Sequence, residues 1–207
     1  SSTLSIDREF AGAATAANGL VVFAPRYADC VGVFNAASNA FSCVDIDSTL
    51  SIDNKFFDAT TAANGLVVFA PLSADCVGVF DAAIVSCTGL GAFRYPQHAT
   101  PRPEGGVLVP DYGNGCLQQF STQGQHEAAL CEDVAPLPSA LALMGDGTAW
   151  VIASDDEDLV RVNLTTGARL IELNCSDRCF FLEDLALAGD ALLVLSAGEP
   201  GRTCIAV

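Results

Sequence analysis

Positive charge is what this chain has least of. Lys and Arg together number 9 against 25 Asp and Glu, a net charge of −16. Nucleic acids and anionic membrane surfaces are held by basic patches, so neither is an expected partner. A large charge of one sign also serves plain solubility. No apolar run approaches the roughly 18–20 residues that span a bilayer, which argues against membrane insertion. Helix signals are missing throughout: apolar runs are strand-length and broken by Gly, Pro, Asn and Asp. There are 2 His and no Cys-x-x-Cys spacing, a poor basis for zinc. There is no Gly-x-Ser-x-Gly, no phosphate loop and no Ser/His/Asp order that stands out. The chain opens at Ser1 without Met or a signal-peptide pattern, so it reads as a processed form or a fragment.

What is present is hydrophobic and repetitive. Apolar residues make up 51% of the 207 positions, enough for a sizeable core and too many for disorder. The ten residues Ala16-Ala-Asn-Gly-Leu-Val-Val-Phe-Ala-Pro25 return unchanged at Ala62–Pro71. Asn-Gly marks a tight turn, and Leu-Val-Val-Phe is a short strand that Pro stops. Ser2–Ala37 aligns on Ser48–Ala83 without gaps at an offset of 46, with 28 of 36 positions identical. A period of this size means a propeller, solenoid or array. The unit has four predicted strands: Phe10–Ala17, Leu20–Ala24, Cys30–Phe34 and Phe41–Ile46.

The remainder keeps the beat more faintly. Anchors at Gly19, Gly65, Gly106, Gly147 and Asp190 are spaced 46, 41, 41 and 43, each opening an apolar run. Five units of four short strands predict an all-β chain, a β-propeller of about five blades, with an open solenoid as the alternative. Predicted blades are 8–47, 54–92, 93–134, 135–175, and 180–207 with 1–7. In the last of these, Ser1–Ile6 would supply the outer strand and close the ring by strand exchange between the termini. The competing arrangement is a fragment of a larger propeller.

Units three and four resemble blades of NHL and YVTN-type β-propellers. The resemblance lies in Glu104-Gly-Gly-Val-Leu-Val-Pro-Asp111 through Gln-Gly124, and in Gly145-Asp-Gly-Thr-Ala-Trp-Val-Ile-Ala through Thr-Gly167. Units one and two resemble repeat arrays of uncharacterised algal proteins through Ala-Ala-Asn-Gly and Ala-Asp-Cys-Val-Gly-Val-Phe. What the resemblance implies is a fold; propellers host binding, scaffolding and several chemistries.

The cysteines carry the most chemistry. In each of the first three units one Cys opens the third strand (Cys30, Cys76, Cys116) and a second sits in the fourth (Cys43, Cys87, Cys131). Each pair is symmetric about its own turn, which puts its members directly opposite one another on a hairpin, near enough for a bridge. The expected disulfides are Cys30–Cys43, Cys76–Cys87 and Cys116–Cys131; reduced core cysteines are the alternative. Cys175 and Cys179 are placed to close a small loop, and Cys204 has no evident partner. Asn163-Leu-Thr and Asn174-Cys-Ser are glycosylation tripeptides. Disulfides and sequons point to a secreted or extracellular chain, or to an organelle lumen.

Loops after the second strand, with the links between blades, gather carboxylates on one propeller face: Asp29, Asp75, Asp111, Asp155–Asp158 and Glu199. Such a rim suits a cationic partner, although Asp also simply starts turns. Asp155, Asp156 and Asp158 are the candidates for Ca²⁺, without the Gly-spaced ligands of a known calcium loop. No other cofactor is expected. His98 and His126 fall in one unit and do not make a channel cluster, and His98 beside a Pro-rich stretch reads as a surface or linker residue. The function expected is a non-enzymatic, disulfide-braced module for a protein or glycan partner, able to self-assemble as an extracellular building block. The alternatives are a metal-assisted hydrolase or lyase and a lumenal subunit of a larger complex.

Overall fold

The computed structural model describes residues 8–81, 84–88, 93–131, 134–153, 158–174, 182–188, 191–196 and 205–206. These form five antiparallel sheets. Blade one is β1 (Phe10–Thr15), β2 (Leu20–Pro25), β3 (Cys30–Asn35) and β4 (Ala40–Asp45). Blade two is β5 (Phe56–Thr61), β6 (Val67–Pro71), β7 (Val77–Asp81) and β8 (Ile84–Thr88). Blade three is β9 (Thr100–Pro101), β10 (Val107–Asp111), β11 (Cys116–Phe120) and β12 (His126–Leu130). Blade four is β13 (Leu141–Leu143), β14 (Thr148–Ala153), β15 (Asp158–Asn163) and β16 (Arg169–Asn174). Blade five is β17 (Leu182–Ala188), β18 (Ala191–Ser196) and β19 (Ile205–Ala206). Within each sheet every strand pairs with its neighbour in sequence, and the first strands β1, β5, β9, β13 and β17 touch in turn along the inner side. This is a β-propeller. No helix in the described residues is long and apolar enough to cross a membrane. The expected closure by Ser1–Ile6 falls outside the described residues.

Strand alternation makes the core. Successive side chains point to opposite sheet faces, and in blades two, three and four both faces meet a neighbouring blade, so runs such as Val67–Pro71 are buried throughout. We call the face toward the preceding blade leading and the other trailing. Val22, Ala24, Val31 and Val33 on the trailing face of blade one meet Phe56, Val67, Phe69, Cys76 and Phe80 on the leading face of blade two. Val68, Ala70 and Val77 meet Val107, Val109 and Phe120. Leu108 and Leu117 meet Ala149, Val151 and Val160. Ile152 and Leu159 meet Leu192 and Val194, with half-buried Trp150 alongside. Four cores thus bind five blades in a row.

Strand parity corrects one anchor. The inner turn is closed by Gly19 N–H donating to Ala16 C=O and Gly65 N–H to Ala62 C=O; in blade three the donor is Gly105, to Arg102 C=O. Gly105, not Gly106, is therefore the equivalent residue. A one-residue slip sends every side chain of a strand to the other face, and it is Val107 and Val109 that face blade two. Both glycines have positive φ (105° and 77°).

Lys55, the sole lysine, lies in the link between blades one and two. It is 1% exposed, and its Nζ meets Asp29 Oδ1 at 3.4 Å. Its backbone N–H donates to Arg26 C=O and its C=O accepts from Leu72 and Ala74. An amine-reactive reagent is expected to leave Lys55 unmodified in the folded chain and to label it once urea is added. Peptide mass mapping checks this; rapid labelling without denaturant would contradict the buried placement.

Candidate functional site in the central channel

With parity corrected, the inner strands align. Thr15, Thr61, Pro101, Leu143 and Leu187 lie opposite Val21, Val67, Val107, Ala149 and Leu192 respectively. Three residues earlier in each blade stand Gly12, Asp58, His98, Ala140 and Asp184. In blades one, two and five the register slips at this point, between Phe10 and Ala13, Phe56 and Asp58, and Leu182 and Asp184. In blades two and five the residue left out of the ladder is Phe57 or Glu183, and Asp58 and Asp184, opposite Ala70 and Leu195, follow the bulge. The Ala59 N–H donates to Asp58 Oδ1 at 2.7 Å and the Leu185 N–H to Asp184 Oδ1 at 2.8 Å, so both carboxylates are held the same way. Gly12 is in the left-handed region at φ 68°, and a Cβ there would run into Asp58. Glycine in blade one thus leaves room for the carboxylate of blade two.

His98 Nδ1 lies 3.4 Å from Asp58 Oδ2, and both side chains are about one-third exposed, at 27% and 32%. The Phe57 ring meets the His98 ring edge-on at 5.9 Å. Asp58, His98, Thr100 and Asp184 line an open cavity of about 420 Å³ whose floor is Leu141, Ala142 and Leu185. Its lining holds two carboxylates and an imidazole but neither Lys nor Arg, in a chain of net charge −16. A channel walled by one sign of charge concentrates the opposite ion. Among the described residues no three His, Cys, Asp or Glu gather closely enough to hold a metal ion.

A second cavity, about 460 Å³, opens between blades three and four and is lined by Leu108, Leu130, Leu143 and Leu164 with Arg102 and Glu104 at its edge. Arg102 Nε donates to Glu104 at 2.8 Å and Nη1 to Glu127 at 2.6 Å. The Glu104 carboxyl is held below its ordinary value, first by its own backbone N–H and then by Arg102. Arg102 is thereby satisfied and offers this cavity no free charge.

The rim carboxylates separate. Asp29 and Asp75 are exposed. Asp111 is not on the rim: it is 0% exposed and accepts from Arg94 N–H, Asn114 Nδ2 and Gln118 Nε2. Burial made it an internal acceptor rather than a surface ligand. Asp158 opens β15 opposite Asn174, while Asp155, Asp156 and Glu199 lie outside the described residues. Asn163 Oδ1 accepts from Thr165 and Thr166 N–H at 3.0 and 2.9 Å, capping its own turn; the Asn174 side chain lies outside the described residues. His98 lies in the link between blades two and three, in keeping with its reading as a linker residue, and that link carries it to the channel beside Asp58. The channel constellation was missed because it joins one residue from each of several divergent blades. Phe-x-Asp58 and Leu-x-Asp184, each opening an inner strand, were the available signal.

Cys30–Cys43 and Cys116–Cys131 are bonded, with Cα atoms 5.4 and 4.3 Å apart. The second pair follows from Leu117 opposite Leu130 and is directly opposite, as expected. The first is diagonal: Cys43 stands opposite Gly32 and Cys30 opposite Asp45. Cys76 is also disulfide-bonded. The Cys87 side chain lies outside the described residues, but Cys87 stands opposite Gly78, the same offset as in blade one. Cys175, Cys179 and Cys204 lie outside them too. Closing a loop of this size contributes on the order of 3 kcal/mol through the unfolded chain.

No family model and no curated protein matches the chain. Its likeness is to solved structures. Virginiamycin B lyase from Staphylococcus aureus superposes with TM-score 0.77 at 16% identity, over 93% of this chain and 64% of that one. A structure of the nidogen/laminin complex does so at TM-score 0.68 and 11% identity, over 90% and 72%. Hydrazine synthase of Kuenenia stuttgartiensis does so at 0.70 and 13%, over 98% and 60%. The chain thus spans less than two thirds of the lyase structure's length. The expectation of a non-enzymatic chain is corrected here: the architecture it leaned on is shared with a lyase. The missing channel cluster, its other support, is partly supplied by His98 and Asp58. The likeness establishes one thing about this chain, that it is folded as a β-propeller.

Proposed function

We propose that this chain is a secreted or extracellular, disulfide-braced propeller that binds a protein partner, taking a cationic group of that partner into the central channel. The observation that carries this reading is the pair of bulge carboxylates, Asp58 and Asp184, lining one cavity without Lys or Arg. A propeller occurs in the nidogen/laminin complex, which supports a protein partner over a glycan. Units three and four are read as NHL or YVTN-type blades, and units one and two as the algal array type. The test is calorimetric titration of the chain with a lysine-bearing tetrapeptide and its acetyl-lysine counterpart. The lysine peptide binds, acetylation abolishes binding, and the Asp58→Asn/Asp184→Asn variant weakens it about tenfold or more, some 1.4 kcal/mol. Equal binding by both peptides, or by the double variant, would refute the reading.

One observation favours a second reading, a lyase. An imidazole paired with a carboxylate across 3.4 Å in a cavity has the elements of a general base and its orienting partner. In such a site His98 would take a proton from substrate carbon, the C–H electron pair forming a double bond as the bond from the adjacent carbon to the leaving group breaks, and Asp58 would steady the resulting imidazolium. Turnover in an elimination assay that His98→Ala abolishes, with Asp58→Asn slower at unchanged KM, is the expected result of that reading; turnover surviving His98→Ala would remove it.

A further inference from the structure

We propose that the leading face of blade one is a docking surface for a further blade of the same 46-residue repeat type. The near-identity of the first two repeats carries the argument. Phe56, Val67, Phe69, Cys76 and Phe80 form the leading face of blade two, and all are at most 2% exposed beneath blade one. Their equivalents at the offset of 46 are Phe10, Val21, Phe23, Cys30 and Phe34, the same residue at every position. All five are partly exposed, and blade one packs on blade two through its other face. Phe10, Phe23 and the 45% exposed Phe41 form an aromatic cluster with centroids 6.0–6.2 Å apart.

A repeated surface fits a repeated partner. What covers blade two is the Val22, Ala24, Val31 and Val33 surface of blade one, so the duplicate face is complementary to a blade presenting that surface. The opposite end of the row continues the logic. Leu193 and Leu195 stand at the blade-five equivalents of Val22 and Ala24 and are 40% and 56% exposed. The row thus ends in one uncovered leading face and one uncovered trailing face, matched in kind. The superposition on longer propellers, with 64% of the lyase structure covered, leaves arc for further blades between them. Burying two or three aromatic side chains is favourable at roughly 25 cal/mol per Å² of apolar surface removed from water.

The test inserts a second copy of residues 2–47 ahead of Ser2, in the whole chain, and follows amide hydrogen exchange. The extended chain is expected to remain monomeric, to melt higher than the original, and to slow exchange in β1 and β2 to the rate seen in β5 and β6. A second extended chain, with Val22→Asp and Ala24→Asp in the added copy alone, is expected to lose that protection. Unslowed exchange in the first extension, or full protection in the second, overturns the proposal. If neither extension folds, the unmodified chain decides. The proposal requires a monomer in which β1–β2 amides exchange at least about tenfold faster than β5–β6 amides. Equal protection in a monomer would mean that blade five of the same chain covers the face, and equal protection in a concentration-dependent oligomer that a second copy does; either overturns it.

Discussion

Phe69→Ala is expected to lower folding stability by about 3–5 kcal/mol, and Phe23→Ala, the same residue one repeat earlier, by about 1–2 kcal/mol. Phe69 is 0% exposed, its ring 5.3 Å from that of Phe56, between Val22 and Ala24 on one side and its own sheet on the other. Truncation there removes a full aromatic side chain and leaves a cavity whose walls belong to two disulfide-bearing sheets, which relax little. Phe23 loses the same atoms, but its face is partly in water, so solvent fills the gap and the cavity contribution falls away. Urea unfolding of both variants measures the difference directly. Local sequence is the same around both residues, so helix or strand propensity cannot account for a gap. Equal costs would show that the face of blade one is covered in solution.

That contrast marks what a single sequence makes visible. The strand pattern of the first two units was legible because it is nearly duplicated: the predicted strands Leu20–Ala24 and Cys30–Phe34 differ from β2 and β3 by one residue at the C-terminal end. The divergent units gave spacing but not parity, so Gly106 stood in for Gly105 and the anchor of blade three was one residue late. Parity is set by backbone pairing, which the adjacent glycines do not disclose. The channel was hidden for the same reason. Gly12, Asp58, His98, Ala140 and Asp184 become one set only after all five inner strands are aligned to a residue. The disulfide logic was sound in its pairing of Cys30 with Cys43 and less so in its geometry, because Cys43 stands opposite Gly32 and the bridge runs diagonally to Cys30.

Asp111→Ala is expected to cost about 1–3 kcal/mol, against less than about 0.5 kcal/mol for Asp75→Ala in the exposed loop after β6. Asp75 lies in the loop after β6 and Asp111 ends β10, and composition treats them alike. Burial does not. Asp111 Oδ1 accepts from Arg94 N–H at 2.8 Å, and Oδ2 from Asn114 Nδ2 at 2.8 Å and Gln118 Nε2 at 2.7 Å. Alanine leaves the buried Gln118 amide without its acceptor, at about 1–3 kcal/mol, while the donors of exposed Arg94 and Asn114 can turn to solvent. Asparagine is no rescue, because its amide places a donor where the carboxylate gave an acceptor. The effect should also travel. Arg94 and Pro96, which Asp111 fastens by hydrogen bond and bridge, lie in the link that delivers His98 to Asp58. A folded Asp111→Asn chain should therefore show a shifted His98 imidazole resonance and weaker lysine-peptide binding while Asp58 and Asp184 are intact. An unmoved His98 signal would mean that the channel is positioned by its inner strands alone, with the link a passive tether.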